Sequence, residues 1–587
     1  MLLSPYGKAA SPWLGAVFWM ASCTPAPPPL TPHPSDLEFT DTSPLPPEVA
    51  RKIWRVSADS LVDGDGAQVT LRGIAFGNEV WDHVAVPSAH HSFRDFLQVA
   101  NMNMNSVRFY LTYHTFEDDS KPGKYKQSGW DWLDQNVHWA SDAGVRLILN
   151  MHDPVGGYQS QGGGNSLWTD EKAQDRFVAL WKEIAHRYRA EPTIVGYDLL
   201  NEPAPTSRIH QWQRLAERTI SAIREVDQVH PIFVERVNSV AGDWAENENS
   251  NFFRVADPNV VYEFHFYKPY HFTHQNAAWS DFAAREAWYP DEQAVAVDWF
   301  RLKAEARAES PALVSGESSW TLLETEPYQV TSPNLVVGKP VLVCDRAGGR
   351  ATFDSLSLTK IGPLEEPDLE HAESAFQQEI EPEVLFEQDL DTRRGWFFWS
   401  ENESGFAQFD PRGHGDSTAI VVEGTTAGAQ LLADPLRFFL EEGATYQLQG
   451  LARGTGLSKS ANCRLRLEFY SSSVPVWPRG KEFLEQEVAS YLAWGKREGV
   501  PVYLGEFGTI RDSFIGDRGG LRWVGDMLDL LLENEVHFAY HAYHEVNFGL
   551  YAAQGALPRP SDLNLPLFEL FRKKLDTSSK VAQKATP

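Results

Sequence analysis

Two glutamates stand where carboxylates can do chemistry. Glu202 lies in Asn201-Glu202-Pro203, directly after the apolar run Ile194–Leu200, and Glu506 lies in Leu504-Gly505-Glu506-Phe507-Gly508 at the end of another short apolar run. Two carboxylates facing each other divide the labour of an acid–base reaction. The ionised one raises the pKa of its neighbour, so one carries electron density while the other keeps a proton to give. Taken singly, each would read as a solvated loop residue. Six more polar side chains fall within or just past comparable apolar runs, namely Arg108, His152, Asn201, His265, Tyr267 and His541. An arginine there can hold a nearby carboxylate ionised, although a strand arginine or a lone histidine also serves as a satisfied core residue.

The elements that must position these groups form a regular series. Short apolar runs occur at Val69–Ala75, Ser106–Tyr110, Val145–Asn150, Ile194–Leu200, Pro231–Glu235, Val260–His265, Val502–Gly505 and Val536–Tyr540. Between them lie helical stripes: Phe177, Leu180, Trp181, Ile184 and Tyr188 on one face; Ile209, Trp212, Leu215, Ile220 and Ile223 on another; then Leu484, Val488, Tyr491 and Leu492. The last stripe ends at Lys496-Arg497-Glu498-Gly499, basic residues and then glycine, as a helix stop requires. Eight alternating units predict an α/β fold, a (β/α)8 barrel with parallel strands under helices, whose active site lies at the C-terminal strand ends. No Gly-x-Gly-x-x-Gly follows the first run, Gly162-Gly-Gly164 lacks the Lys-Ser/Thr of a phosphate loop, and no His/Cys/Asp group has the local spacing of metal ligands. No cofactor or metal is implied.

Between the sixth and seventh runs the text changes. Asn334–Val343, Ala351–Leu358, Thr418–Val422, Thr445–Gln449 and Arg464–Tyr470 are short β-type segments punctuated by Gly and Pro. They predict an antiparallel sandwich inserted into a barrel loop. The expected organisation is a leader over 1–23, a Pro-rich linker over 24–50, barrel over 51–293, inserted sandwich over 294–476, barrel again over 477–575, and a tail over 576–587. The leader has one basic residue, Lys8, an apolar run Trp13–Met20 and small residues before Cys23. That run is too short to span a bilayer and suits a secretory signal. Met20-Ala-Ser-Cys23 also resembles a bacterial lipoprotein site, which would place a lipid anchor on Cys23. A plain signal peptide and an unprocessed apolar tail stay open.

The strand-end residues resemble family 5 of the glycoside hydrolases, the cellulase-type (β/α)8 branch, over about 51–290 and 477–575. The resemblance implies that Glu202 is the general acid/base and Glu506 the nucleophile of a retaining enzyme. It gives Asn201, Arg108, Tyr267, His265 and His152 supporting roles around the sugar. One departure is visible: where many members end the eighth strand in a Trp that floors the sugar subsite, this chain has His541, with Tyr540 or Tyr543 as substitutes. Trp81, Tyr113, Tyr158, Trp168, Trp244 and Trp279 are candidates for stacking on sugar faces, or for helix-to-barrel packing. The insert resembles a jelly-roll carbohydrate-binding module with its halves in reversed order, Trp320 to Leu358 closing and Phe386 to Tyr470 opening. Trp396 and Trp399 are its candidate binding aromatics, and Cys344 and Cys463 can pair or remain free thiols.

Asp plus Glu number 80 against 52 Lys plus Arg in 587 residues, a net charge of −28. That balance argues against nucleic acid or an anionic membrane surface as partner. The expectation is an exported monomer (secreted, periplasmic or lipid-anchored) that hydrolyses β-glycosidic bonds in a polysaccharide or oligosaccharide. An endo-β-1,4-glucanase comes first, then a β-mannanase or exo-acting β-glucosidase. A non-catalytic carbohydrate-binding surface protein is the reading from another class.

Overall fold

The computed structural model describes residues 45–87, 91–160, 165–241, 251–280, 287–297, 301–362, 382–388, 396–401, 404–433, 437–552 and 557–576. The leader, Cys23, most of the Pro-rich linker, Gly162–Gly164, Trp244 and nearly all of the acidic stretch 363–383 lie outside these residues. Among the described residues no helix is long and apolar enough to cross a membrane.

Eight parallel strands close a barrel: β1 (Arg72–Phe76), β2 (Ser106–Thr112), β3 (Arg146–Asp153), β4 (Ile194–Asp198), β5 (Ile232–Glu235), β6 (Val260–Phe266), β7 (Val502–Phe507) and β8 (His537–Tyr540). They are buried almost throughout, which is why they read as continuous apolar runs rather than alternating ones. The outer helices are α1 (Phe93–Asn101), α2 (Gln127–Asp142), α3 (Glu171–Tyr188), α4 (His210–Arg224), α5 (Lys481–Glu498), α6 (Gly520–Glu533) and α7 (Leu565–Lys574). The predicted faces of α3 and α4 are the buried ones, Phe177, Leu180, Trp181, Ile184 and Tyr188 on the first and Trp212, Leu215, Ile220 and Ile223 on the second. Helix α5 stops at Gly499, whose φ of 64° is the left-handed conformation glycine adopts without penalty.

One predicted run divides. Val69 does not enter the barrel but pairs, with Gln68, in a three-stranded antiparallel sheet with Arg55–Ser57 and Ser60–Val62. Trp54, Leu61 and Leu71 from this region cluster with the barrel residues Ile148, Val195, Phe233, Val261, Tyr503 and Ala539. The first part of the run, Val69–Leu71, therefore belongs to a plug, separate from the polar residues at the opposite strand ends.

Between β6 and β7 in the chain lies a β domain of two antiparallel sheets. One orders Leu302–Glu309, Asn462–Ser472, Leu335–Asp345, Ala429–Ala433 and Trp396–Ser400; the other orders Thr321–Glu324, Thr445–Thr455, Arg350–Ile361, Ala419–Glu423 and Phe406–Asp410. Strands Thr445–Thr455 and Asn462–Ser472 alternate strictly between buried and half-buried, as period-2 patterning over one dry face demands. Leu342, Phe353, Leu358, Leu448, Leu465 and Phe469 from the two sheets share one core. The two segments on either side of residue 360 interleave in both sheets and so build one domain. Cys344 and Cys463, opposite each other in register, are joined by a disulfide.

Candidate active site

The barrel strands place their polar residues in two layers. Along β6, Glu263 and His265 share one face by strand alternation, and Tyr267 continues it just beyond; on β2, Arg108 and Tyr110 do the same. In the lower layer the fully buried Arg108 guanidinium meets Asp198 at 2.8 Å and Glu263 at 3.1 Å through Nε. Its terminal nitrogens donate upward to Glu506 Oε1 at 2.6 Å and to Asn201 Oδ1 at 3.1 Å. Gly505 is required here, because a Cβ at that position would sit 1.6 Å from Glu263 Oε1.

Glu506 is held on every side. Tyr267 donates its hydroxyl to Oε2 at 2.7 Å, and Tyr110 donates to Oε1. His541 Nδ1 lies 3.0 Å from the Tyr110 hydroxyl, and the His152 ring stacks on Tyr110 at 3.9 Å. Burial alone would push the Glu506 carboxyl up, but the positive charge around it, from His265, then His541 and Arg108, holds it well below the usual carboxylate range. Burial likewise works against the charged form of His265, and the carboxylates Glu235 and Glu506 outweigh it, holding the imidazolium well above 6.5. Burial and the neighbouring Glu263 push Asp198 well up, so the acids around Arg108 do not all ionise together. His152 is buried and pulled well below 6.5, hence neutral.

Glu202 faces Glu506 across His265. His265 Nδ1 is 3.2 Å from Glu202 Oε1 and 3.6 Å from Glu506 Oε2. One carboxylate oxygen of each glutamate and a His265 nitrogen all lie within 4.8 Å of one another. The Glu202 backbone is left-handed, φ 45°, and its N–H donates to Glu235 Oε2 at 2.6 Å. That bond aims the side chain into a cavity of about 580 Å³, lined among others by Trp81, His152, Tyr158, Tyr267, Trp279, Glu506, His541 and Phe548. The Glu202–His265–Glu506 group has the donor types of a metal site, but the adjacent Arg108 and the charged His265 already neutralise it, which disfavours a divalent cation.

The expected site residues thus converge, at different depths. Glu202, Glu506, His152, His265, Tyr267 and His541 line the cavity. Arg108 and Asn201 stand behind it, and Asn201 Nδ2 donates to Ser160 Oγ at 2.9 Å. Of the aromatics, Trp81, Tyr158 and Trp279 line the cavity, whereas Tyr113 and Trp168 are buried elsewhere in the barrel core. Tyr540 and Tyr543 pack into that core too, Tyr543 donating to Asp95, so neither takes the place of a subsite floor. Sequence reading passed over Tyr110, Asp198, Glu235 and Glu263. Charged residues inside otherwise apolar strands, and the i, i+2 relation to Arg108 and His265, are the signals that mark them.

Residues 62–318 match the cellulase family, glycosyl hydrolase family 5, a span that takes in the first six barrel strands. Endoglucanase C of Acetivibrio thermocellus is 31% identical over 202 residues, covering 34% of this chain and 57% of that protein. Beta-xylosidase of Phanerodontia chrysosporium is 28% identical over 229 residues, covering 32% and 47%. The chain therefore spans little more than half the length of the first curated relatives it matches. Among solved structures, endoglucanase Cel5A from Thermotoga maritima aligns with a TM-score of 0.44 at 15% identity, over 85% of this chain and 96% of that one.

Proposed function

We propose, from the match of residues 62–318 to the cellulase family, glycosyl hydrolase family 5, that this chain is a retaining glycosidase of that family cleaving β-linked glucan, with endo-β-1,4-glucanase action. The observation that carries the reading is the approach of Glu202 and Glu506 to within 4.8 Å across an open cavity. Retaining enzymes hold their two carboxyls roughly 5–5.5 Å apart, too close for a water to fit between nucleophile and sugar as inversion needs. Glu506, ionised and fixed by Arg108, Tyr110 and Tyr267, attacks the anomeric carbon as Glu202 gives its proton to the departing glycosidic oxygen. Water then enters, Glu202 takes its proton, and the new C–O bond releases Glu506 with the original anomeric configuration restored. His265 touches both glutamates and steadies the shuttle between them.

Trp279, half exposed at the cavity's open side beside Phe548, offers an apolar face to a second sugar, which supports cleavage within a chain. The β domain is read as an accessory glycan-binding unit. Trp399 is exposed, whereas Trp396 belongs to the core, so Trp399 is the better candidate for stacking. Export belongs to the same proposal: a Cys344–Cys463 disulfide suits an oxidising compartment, and the leader suits secretion or anchoring at Cys23.

Proton NMR of the first product formed from cello-oligosaccharides tests the chemistry, with the β-anomer expected; an initial α-anomer would reject retention. Product sizes from cellulose, mixed-linkage glucan and mannan test the rest. Release of monosaccharide alone would replace the endo reading with the exo one, and turnover of mannan alone would replace glucan. No turnover on a broad panel would favour the carbohydrate-binding protein.

A further inference from the structure

We propose that His83, His114 and Asp153 form a binding site for one divalent transition-metal ion of the zinc class on the rim of the barrel. None of the three lines the cavity. His83 and His114 come from the connections after β1 and β2, Asp153 from the last position of β3, and the donor atoms lie within 4.8 Å of one another. Asp153 ends β3 with its carboxylate buried, accepting from Thr112 Oγ1 at 2.7 Å and lying 2.8 Å from His83 Nδ1. The same Thr112 oxygen accepts from the His114 backbone N–H at 3.3 Å, so one side chain fixes both the carboxylate and the turn that carries the second imidazole. The two rings meet edge to edge-on-face at 5.6 Å.

The donor set selects the ion. Two imidazoles and one carboxylate suit zinc, cobalt, nickel or copper, whereas magnesium and calcium take oxygen ligands almost alone. At roughly 2.0–2.1 Å per bond, tetrahedral donors stand about 3.3 Å apart. The set reaches that spacing by side-chain rotation, since His83 is 56% exposed while Asp153 is anchored. A hydroxyl donor steadying the buried carboxylate is the outer support such ligands use. Three protein ligands leave a fourth position for water. Asp119 and Lys126 are the other charges near His114, and Lys126 is engaged with Asp118, so the pocket is not dominated by positive charge. Separations of 31 and 39 positions between the three residues explain why no local ligand motif is visible. An ion here would tie the connection carrying Trp81 to the end of β3 that carries His152, two side chains of the cavity wall.

The test uses the untagged full chain, stripped with chelator and titrated with Co²⁺, then with competing Zn²⁺. One equivalent of Co²⁺ with a visible d–d absorption band, displaced by Zn²⁺, is expected. His83→Ala and His114→Ala should each weaken binding by at least about 100-fold, and Thr112→Val by about 10-fold, in line with the loss of a ligand and of its support. The Glu202→Gln/Glu506→Gln double variant should bind as the parent does. No uptake of Co²⁺ by the parent at micromolar concentration, equal binding by the His83→Ala/His114→Ala double variant, or loss of the ion in the double-glutamine variant would each overturn the site.

Discussion

The barrel mouth and the inserted β domain spend their polar residues in opposite ways. At the mouth, Arg108, Asp198, Glu235, Glu263, His265 and Glu506 are all buried within hydrogen-bond or ion-pair reach of one another. In the β domain the core is apolar, and ion pairs such as Arg350–Glu423 and Arg466–Glu309 lie on partly exposed faces. A buried charge network stabilises little by itself, because desolvation offsets its Coulomb gain, and breaking it by one member is expensive. The dry sandwich gains stability from apolar area and a covalent link. One region is built to hold charges in place, the other to hold itself together.

That contrast is sharpest at Glu506. Glu506→Gln or Glu202→Gln should lower kcat on an aryl β-glycoside by more than about 10³-fold with the fold retained, whereas no single substitution in the β domain should approach that loss. Arg108→Met comes next: it removes the cation of Asp198 and leaves Glu263 and Glu506 to His265, and should destabilise the barrel by about 3–5 kcal/mol in denaturant unfolding. A loss below about 1 kcal/mol would show the network to be dispensable. In the β domain, Cys344→Ser/Cys463→Ser opens a link spanning 119 positions and should remove about 3–4 kcal/mol from that domain's unfolding transition. Hydrolysis of a soluble substrate should be unchanged; a matching fall in kcat would erase the distinction between the regions.

The smallest effect concerns acid. His537, at the start of β8, accepts the Leu71 N–H on Nδ1 at 3.1 Å, and burial pulls its imidazole down to about 4. The unfolded chain, with histidine near 6.5, takes up the proton first. Stability from this group is therefore complete above about pH 6.5 and is lost as pH falls toward 4, by up to about 3 kcal/mol. His537→Gln, keeping an acceptor without the titration, should flatten the pH dependence of Tm over that range.

The barrel was legible because its strands are buried on both faces and its helices on one, so hydrophobic period alone separates them. Glu202 and Glu506 were legible because strand ends put side chains on a shared face. Tyr110 was not, since a tyrosine in a strand does not distinguish a hydrogen-bond partner from a core residue until the strands are side by side, and Glu235, though marked by its charge in an apolar strand, shows its partners only then. The division of Val69–Ala75 escaped for a related reason: a plug strand and a barrel strand have the same apolar text, and only closure of the barrel decides which part is used where. The His83–His114–Asp153 group lay beyond sequence reading altogether, because two loops and a strand end far apart in the chain supply it.

The strands that enter and leave the β domain, Asp291–Ala296 and Trp477–Arg479, pair with each other in a two-stranded antiparallel ribbon. From the barrel's side, nearly two hundred residues hang from what amounts to a single hairpin. A domain joined by such a neck can be removed or exchanged by cutting at two adjacent points of one ribbon. The register of β6 and β7 need not shift when the domain beyond the neck changes.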